Sequence, residues 1–212
     1  MREFLLYLPG VLYAMTIHEF FHGFTALKLG DPTAKYSGRL SLNPLKHIDP
    51  FGFVALLIAH IGWAKPVPVN PYYFKNPRKD MGIVAISGPL SNIISGILFG
   101  ILAKFFYPFF YSNIFLKILF YLFLYTAFLN LFFAFFNLIP LFPLDGSHIL
   151  EAILPYEYYL KYRKIERFSP FILLGVIFVS YAIPGLNIFY PIVFLPSKII
   201  MGFIFKEASF LF

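Results

Sequence analysis

Residues 81–106 read MGIVAISGPLSNIISGILFGILAKFF, a stretch that is apolar almost throughout. A helix that crosses a bilayer needs about 20 consecutive, mostly apolar residues, so this stretch predicts a transmembrane helix. Comparable stretches lie at residues 4–29, 115–139 and 168–188, and a shorter one lies at 190–205. The sequence therefore predicts an all-α polytopic membrane protein with four to six transmembrane helices.

The composition of the whole chain supports a membrane protein. Of its 212 residues, 59% are hydrophobic and 13% are charged, which is about half the charged fraction of a soluble globular domain. The chain has no cysteine, which excludes disulfides, thiolate zinc sites and cysteine nucleophiles. The net charge is +7, but the basic residues fall between the apolar stretches, so we expect them to set the topology and not to bind nucleic acid.

The same basic residues predict the orientation in the membrane. Residues 51–63 are apolar but too short to span comfortably, which is typical of a re-entrant or interfacial segment. Basic residues lie before it, after it and in a later loop: Lys28, Lys35, Arg39, Lys46; Lys65, Lys75, Arg78, Lys79; Lys161, Arg163, Lys164, Arg167. The positive-inside rule places these loops in the cytoplasm and the N-terminus outside, in a multi-pass protein of the cell membrane.

Two loop segments have the pattern of strands at the cytoplasmic interface. Residues 33–42 alternate between polar and apolar side chains, which predicts a strand and with it a small β element. Residues 65–70 read KPVPVN and are also expected to be extended. Pro66 and Pro68 lack an N–H, so one edge of this segment cannot pair fully. Val67 and Val69 keep their N–H groups on the other edge, which is a candidate edge for docking a substrate strand.

The motif that carries chemistry is His18-Glu19-Phe20-Phe21-His22. Residues four apart share a helix face, so both imidazoles are able to reach one metal ion. Glu19 lies about 100° round the helix from His18, where its carboxylate is able to touch a water molecule at that ion and act as the catalytic base. Ionisable groups in a membrane helix are costly and need partners. The alternative interpretation is a polar cluster that bonds to neighbouring helices.

A catalytic zinc needs a third protein ligand. A third histidine six residues after His22 is excluded because that position is Lys28, and no Glu lies between Glu19 and Glu151. The acidic candidates are Asp31, Asp49, Asp80 and Asp145. The first three lie in charged loops, each next to a proline or a basic residue, which favours exposure to solvent. Asp145 instead follows an apolar stretch that runs in the same direction as the first one, which brings it to a depth compatible with the two histidines. The alternative role for Asp145 is the N-cap of a short helix, and both roles are compatible.

Four motifs together resemble the site-2 protease family of intramembrane zinc metalloproteases. They are His18-Glu-Phe-Phe-His22-Gly23, Gly62-Trp-Ala-Lys-Pro-Val-Pro-Val-Asn-Pro71, Ser87-Gly-Pro-Leu-Ser-Asn92 and the stretch from Asn137 to Gly146. The resemblance implies one Zn²⁺ per chain with Asp145 as the third ligand and Glu19 as the base. It also implies cleavage in or near the membrane-spanning segment of a substrate, either a single-span membrane protein or a signal peptide.

The resemblance also bears on Asn92, His148 and the domain organisation. Asn92 matches a polar residue of the family, and its amide is a candidate catalytic group that holds the substrate carbonyl or the oxyanion; the alternative is an interhelical hydrogen bond. His148 stands where the family commonly has Arg. The chain resembles the minimal members, without PDZ or CBS domains. We expect a single domain, residues 1–212, with a catalytic core at about 4–154 and additional C-terminal helices at about 168–205.

Two other functions are compatible with parts of this pattern. A membrane metal transporter or metal-binding protein also places His and Asp in bilayer helices, but it has no specific use for Glu19 between the two histidines. A catalytically silent scaffold is the other alternative, and the intact set of His18, Glu19, His22 and Asp145 argues against it. The sequence therefore favours a membrane zinc endopeptidase.

Overall fold

The computed structural model describes residues 2–59, 62–183 and 185–206, and this part of the chain is mostly helical. Its α-helices are α1 (Arg2–Lys28), α2 (Thr33–Tyr36), α3 (Pro50–Ala59), α4 (Pro77–Phe106), α5 (Ile114–Asn137), α6 (Asp145–Ile153), α7 (Tyr156–Glu166), α8 (Ser169–Ala182) and α9 (Leu195–Ile204). A π-helical stretch, Tyr190–Phe194, leads into α9. No sheet forms within these ranges, which confirms the predicted all-α class.

Two helices in the described ranges are long and apolar enough to cross a membrane. They are α4, which continues through a 3-10 turn to give Pro77–Phe109, and α5, Ile114–Asn137. The apolar helical stretches nearer the C-terminus, Ser169–Ser180 and Tyr190–Ile204, are shorter than the about 20 residues that a straight crossing needs. The total of four to six spanning helices stays a prediction.

The body of the fold is formed by α1, α4 and α5, which pack against one another. Small residues allow the close approach. A Cβ added to Gly96 of α4 would lie 2.7 Å from Cγ of Leu131 in α5, and one added to Gly10 of α1 would lie 3.1 Å from Cα of Thr126. Small residues at such positions let helices of membrane proteins pack backbone to backbone. The polar residues of α1 are thereby held tightly between two apolar helices.

The short helix α6 is fixed by contacts at both of its ends. At its start, Gly146 packs so closely on the carbonyls of Leu138 and Ile139 that no side chain would fit. At its end, Arg78 of α4 donates hydrogen bonds to the main-chain oxygens of Glu151, at 2.5 Å, and Leu154. These bonds satisfy carbonyl groups that the end of a helix leaves without partners. The contacts at the two ends of α6 therefore fix the position of Asp145, its first residue.

The predicted strand at residues 33–42 is wrong, because Thr33–Tyr36 form one turn of α-helix. Asp31 initiates this turn: its Oδ1 accepts hydrogen bonds from the N–H of Thr33, at 2.9 Å, and from the Thr33 hydroxyl. An aspartate that bonds to the backbone two residues further on offers a local alternative to a strand. The alternating pattern of residues 33–42 predicts a strand because it does not reveal the hydrogen bonds between Asp31 and Thr33.

Where a small β element was predicted, the described ranges contain one isolated antiparallel bridge, between Ile48 and Ala64. Directly after it run residues 65–70, called the extended segment below. The N–H of Lys65 donates to the carbonyl of His47 at 2.9 Å, and Nη2 of Arg39 donates to the Lys65 carbonyl at 2.6 Å. Hydrogen bonds to loop residues, and not a strand ladder, therefore hold this end of the extended segment.

The apolar stretch at residues 51–63 contains α3, which has 10 residues. At about 1.5 Å per residue such a helix is roughly 15 Å long, about half the thickness of the hydrocarbon core. Its length agrees with the prediction that this segment is too short to span the bilayer as a helix. Residues 60 and 61 lie outside the described ranges.

Candidate metal centre and active site

The three predicted ligands meet at one point. His18 and His22 lie one turn apart on α1, and Asp145 is the first residue of α6. The two Nε2 atoms are 3.0 Å apart, and Oδ2 of Asp145 lies 3.0 Å from Nε2 of His18 and 3.2 Å from Nε2 of His22. The alternative role of Asp145 as an N-cap is not observed, because Leu144 occupies the cap position and makes no side-chain hydrogen bond there.

The other nitrogen of each imidazole is held by an oxygen atom. Nδ1 of His18 lies 2.7 Å from Oδ1 of Asn92, and Nδ1 of His22 lies 2.8 Å from the carbonyl of Val84. Both oxygens only accept hydrogen bonds, so each Nδ1 carries the proton and donates it. In the neutral rings the lone pairs are therefore on the two Nε2 atoms. Such hydrogen bonds orient metal-binding histidines.

The trio of His18, His22 and Asp145 suits a metal ion because its three facing atoms are all electron-pair donors. The two Nε2 lone pairs face Oδ2 of Asp145, which is buried and has no hydrogen-bond partner among the described residues. Acceptors that are buried together without a proton or a cation between them are strongly unfavourable. Two imidazole nitrogens and one carboxylate oxygen form a ligand set of catalytic zinc sites, which keep a further position open for water or substrate.

Gly88 of α4 provides the room for both imidazoles. A Cβ added at this position would lie 2.5 Å from Cε1 and Nε2 of His22 and 2.8 Å from Cε1 of His18. Any other residue at position 88 would therefore push at least one ring out of place. The Ser87-Gly88-Pro89 sequence inside an apolar stretch was the available signal for this close approach, since small residues in spanning helices mark tight contacts.

Glu19 and the trio line a cavity of about 320 Å³. Its wall also includes Val67 and Val69 of the extended segment and Asn137 at the end of α5. Oε2 of Glu19 accepts a hydrogen bond from the N–H of Val67 at 2.7 Å, and both groups are buried. The predicted docking edge is thus not open at Val67, because its N–H is already bonded to the predicted catalytic base.

Asn92 is placed behind His18, and its amide has no free N–H for a substrate. Its Nδ2 donates to the carbonyl of Ala14 at 3.0 Å and to Oδ1 of Asn130 at 2.9 Å, while its Oδ1 faces His18. The residue is fully buried. The predicted role in holding an oxyanion is therefore corrected: the structure shows the interhelical hydrogen bonds of the alternative interpretation, and one of them orients His18.

Four groups at this site were not among the predicted catalytic or metal-binding residues: the carbonyl of Val84 and the residues Gly88, Asn130 and Asn137, of which the two asparagines were expected only to pack helices or order a loop. Asn130 is fully buried, binds Asn92 through its Oδ1 and donates from Nδ2 to the carbonyl of Thr126 at 2.8 Å. Asn137 lines the cavity and donates from Nδ2 to the carbonyl of Phe133 at 3.0 Å. Both asparagines lie in a long apolar helix, where a polar residue is costly unless it has a partner or a function.

Comparisons with known proteins point to one family. The model of peptidase family M50 matches residues 6–180, a range that includes the whole trio and Glu19. A protein named "Putative zinc metalloprotease YwhC", from Bacillus subtilis (strain 168), is 41% identical over 172 residues, which are 80% of this chain and 78% of that protein. No solved structure matches the chain.

More partial matches are to proteins named "Putative zinc metalloprotease Rip2". The protein from Mycolicibacterium smegmatis is 35% identical over 97 residues, 43% of this chain and 37% of that protein. The protein from Mycobacterium tuberculosis is 31% identical over 96 residues, 42% of this chain and 36% of that protein. These names agree with a His-His-Asp group that is positioned to hold a metal ion. The chain belongs to peptidase family M50, the site-2 protease family, and is a membrane zinc metalloendopeptidase.

Proposed function

We propose that the protein hydrolyses a peptide bond in or near the transmembrane segment of a membrane protein. The observation that carries the proposal is the position of the metal trio: two of its members lie on α1, which packs against α4 and α5, the two helices with the length and composition of membrane spans. A peptide bond that reaches the trio must therefore enter a bundle of membrane helices. A single-span membrane protein or a leftover signal peptide has a segment of suitable length and composition.

The proposed roles follow from the geometry. His18, His22 and Asp145 hold zinc, and Glu19 acts as the base. Bound zinc polarises a carbonyl group and lowers the pKa of water towards about 7. Glu19 takes a proton from the attacking water molecule and passes it to the nitrogen of the scissile amide, so that the amine leaves as a neutral group. Asn92 supports this reaction only through the orientation of His18.

The size of the cavity supports entry of an extended substrate. A helix with its side chains is about 10–12 Å wide, which a cavity of about 320 Å³ does not accommodate beside the trio. A helical substrate also hides its scissile carbonyl in an internal hydrogen bond, so it must unwind locally. If the extended segment receives the unwound strand through Val67, the hydrogen bond between Val67 and Glu19 has to open first.

The proposed orientation places the active site towards the cytoplasm. The extended segment, which lines the cavity, begins at Lys65 and is bonded to Arg39. Further basic residues follow at Lys75, Arg78 and Lys79. Basic loops are retained on the cytoplasmic side during insertion. Labelling of single cysteines, placed at Lys75 and at Asn113 in this cysteine-free chain, tests this: only the second should react with an impermeant reagent added to intact cells.

The central experiment combines zinc content with cleavage of a reporter. The protein is purified in detergent with zinc, and a single-span reporter is incubated with the wild type or with Glu19→Gln. Gln keeps the size of the side chain and an oxygen that accepts from Val67, but it takes up no proton. We expect one zinc per chain in both proteins and cleavage only by the wild type.

Three outcomes would contradict the proposal. Equal cleavage by wild type and Glu19→Gln would mean that a contaminating protease acts on the reporter. A wild-type protein that binds no zinc would remove the proposed site itself. If zinc binds and the reporter is cleaved only in its soluble part, the enzyme is a peptidase but the proposed membrane substrate is wrong.

A further inference from the structure

His148 lies on the wall of the cavity and is not a member of the metal trio. It follows Asp145 by three residues on α6, and residues at this spacing share a face of a helix. Both side chains line the same cavity. Three residues of a helix rise about 4.5 Å, so a peptide that reaches the metal trio also lies close to His148.

Glu151 fixes the orientation of the His148 ring. Nδ1 of His148 lies 3.2 Å from Oε2 of this buried residue. Glu151 is itself held by Arg163, whose Nη1 lies 3.4 Å from Oε1, and by Arg78, which binds its main-chain oxygen at 2.5 Å. Because Arg163 supplies a positive charge that faces the carboxylate, the contact with His148 needs only one ring proton.

This contact leaves a lone pair on the other ring nitrogen. A carboxylate only accepts hydrogen bonds, so Nδ1 of His148 carries the proton of the neutral ring and Nε2 carries the lone pair. Nε2 makes no hydrogen bond or ion pair with a protein group in the described ranges. The side chain is 26% exposed and lines the cavity. The ring therefore presents a hydrogen-bond acceptor to a molecule in the cavity.

An unwound membrane segment brings main-chain donors into the cavity. Its side chains are mostly apolar, so the N–H groups released from its helix are the donors that need new acceptors. In an extended peptide these groups point alternately to the two edges. If one edge meets the extended segment, the N–H groups on the other edge require acceptors elsewhere, because a buried N–H without a partner is costly.

Few acceptors on the cavity wall remain for that second edge. Oε2 of Glu19 bonds to Val67, and Oδ2 of Asp145 faces the metal-binding nitrogens. Among the described side chains that line the cavity, the amide of Asn137 and Nε2 of His148 are left. The amide both donates and accepts hydrogen bonds, whereas the neutral Nε2 only accepts them. Nε2 of His148 therefore matches a peptide N–H and not a peptide carbonyl.

We propose that Nε2 of His148 accepts a hydrogen bond from one main-chain N–H of the unwound substrate, on the edge that faces away from the extended segment. Glu151 is its positioning residue, because it keeps the single proton of the ring on Nδ1. His148 transfers no proton in this role. The inference rests on the peptidase function proposed above and adds a group that sets the position of the substrate along the cavity.

The test removes single N–H groups from the substrate. The full-length, zinc-loaded protein is incubated with a synthetic single-span peptide in detergent, and with versions in which an ester oxygen replaces one N–H close to the cleaved bond but not at it. We expect at least one ester to lower kcat/KM of the wild type about fivefold, the effect of one neutral hydrogen bond. His148→Phe should lower kcat/KM of the all-amide peptide by a similar factor, and that ester should then cause no further loss. Zinc content should stay at the wild-type level.

Further variants separate this contact from a change in the shape of the cavity. Met81→Leu alters another side chain of the wall but removes no strong acceptor, so the ester should keep its effect. His148→Gln places an amide oxygen near the position of Nε2 and should regain part of that effect. Glu151→Gln no longer requires the ring proton on Nδ1 and should weaken the effect of the ester while zinc stays bound. His148→Leu replaces the Phe variant if that protein does not elute as a single species.

Three results would overturn the inference. The first is a set of esters that all have the same effect on the wild type and on His148→Phe. The second is wild-type kcat/KM for that variant with the all-amide peptide. The third is loss of zinc from it, because His148 would then be a ligand. A wild-type protein that binds zinc and cleaves none of the peptides would instead remove the proposed function, and the inference with it.

Discussion

The two walls of the cavity are built in different ways. On one side lies the metal wall, defined as His18 and His22 with the groups behind them, Asn92, Asn130 and the Val84 carbonyl. Its hydrogen bonds are buried and join α1, α4 and α5. On the other side lies the extended segment, residues 65–70, whose main chain bonds to Glu19, Arg39 and Asp31 and whose two valines pack against α1 and α4.

This difference separates two requirements of the enzyme. A metal site needs fixed ligands, and ligands are fixed best by side chains that are packed and fully hydrogen-bonded. A substrate site in a bundle needs a wall that admits an unwound peptide, and a segment held by single hydrogen bonds and the packing of two valines, without a strand ladder, is suited to that. Changes to the metal wall should therefore lower zinc affinity, whereas changes to the extended segment should lower turnover and leave zinc bound.

The largest effect is expected for Gly88→Ala in the metal wall. The new Cβ would lie 2.5 Å from ring atoms of His22, so the ring has to move away from the trio. We expect zinc affinity to fall about 100-fold, the upper range for a disturbed ligand orientation, as measured by competition with a chromophoric chelator. Gly175→Ala is the matched control, since an added Cβ meets no atom within 4 Å there. Unchanged zinc affinity in Gly88→Ala would contradict the packing that we describe.

A second change in the metal wall, Asn92→Leu, should lower zinc affinity about tenfold or more. Leu has a similar size but leaves the Nδ1–H of His18 without an acceptor, so the ring loses its fixed orientation. Asn130→Leu acts only through Asn92 and should have a smaller effect in the same assay. Ser95→Ala, on the same helix but bonded to Tyr13 at 3.2 Å, should bind zinc as the wild type does. If Ser95→Ala weakens zinc as much as Asn92→Leu, the specific role of Asn92 is wrong.

In the extended segment, Val67→Pro should lower kcat about tenfold or more, because it removes both the hydrogen bond that orients Glu19 and the N–H that would receive the substrate strand, and one hydrogen bond to a charged group contributes about 1.5–3 kcal/mol. Proline removes the N–H that binds Glu19 and leaves the zinc ligands untouched. Val67→Ala keeps the N–H and should retain most of the activity. Zinc content is measured in both proteins. Loss of zinc from Val67→Pro would mean that the two walls are not independent.

The smallest effect is expected for Arg39→Gln. Nη2 of Arg39 binds the carbonyl of Lys65, where the extended segment begins, but this bond touches neither Glu19 nor a zinc ligand, so only part of its free energy affects turnover. We expect kcat/KM to fall about threefold, with zinc unchanged. Lys35→Gln, which removes an exposed cation from α2, is the control for the change of charge. Equal losses in both variants would indicate an electrostatic effect and not the hydrogen bond.

The sequence predicted the helical class and the assembly of the trio because both depend on strong local patterns. Long apolar stretches predict helices by composition, and the spacing of His18 and His22 predicts a shared face. Asp145 was predicted by its place after a parallel apolar stretch. In each case the pattern that supports the prediction lies within one predicted helix, or in the direction in which that helix is expected to cross the membrane.

Predictions that depend on contacts between residues far apart in the sequence were wrong or were not made. The role of Asn92 depends on Ala14, His18 and Asn130, which lie far from it in the sequence and on two other helices. The N–H of Val67 looked free because its acceptor, Glu19, lies 48 positions away. The strand at residues 33–42 failed for the opposite reason, because one short-range contact of Asp31 with Thr33 overrides the alternating pattern.

The pair of prolines in the extended segment also fixes its register against α1. Only Val67 has an N–H to offer Glu19, because the neighbours on both sides, Pro66 and Pro68, have none. A slip of the chain by one residue in either direction would bring a proline nitrogen to the carboxylate and leave it without a donor. If one residue is inserted or deleted between α3 and the extended segment, we expect Val67 to stay opposite Glu19, because neither neighbouring position offers an N–H.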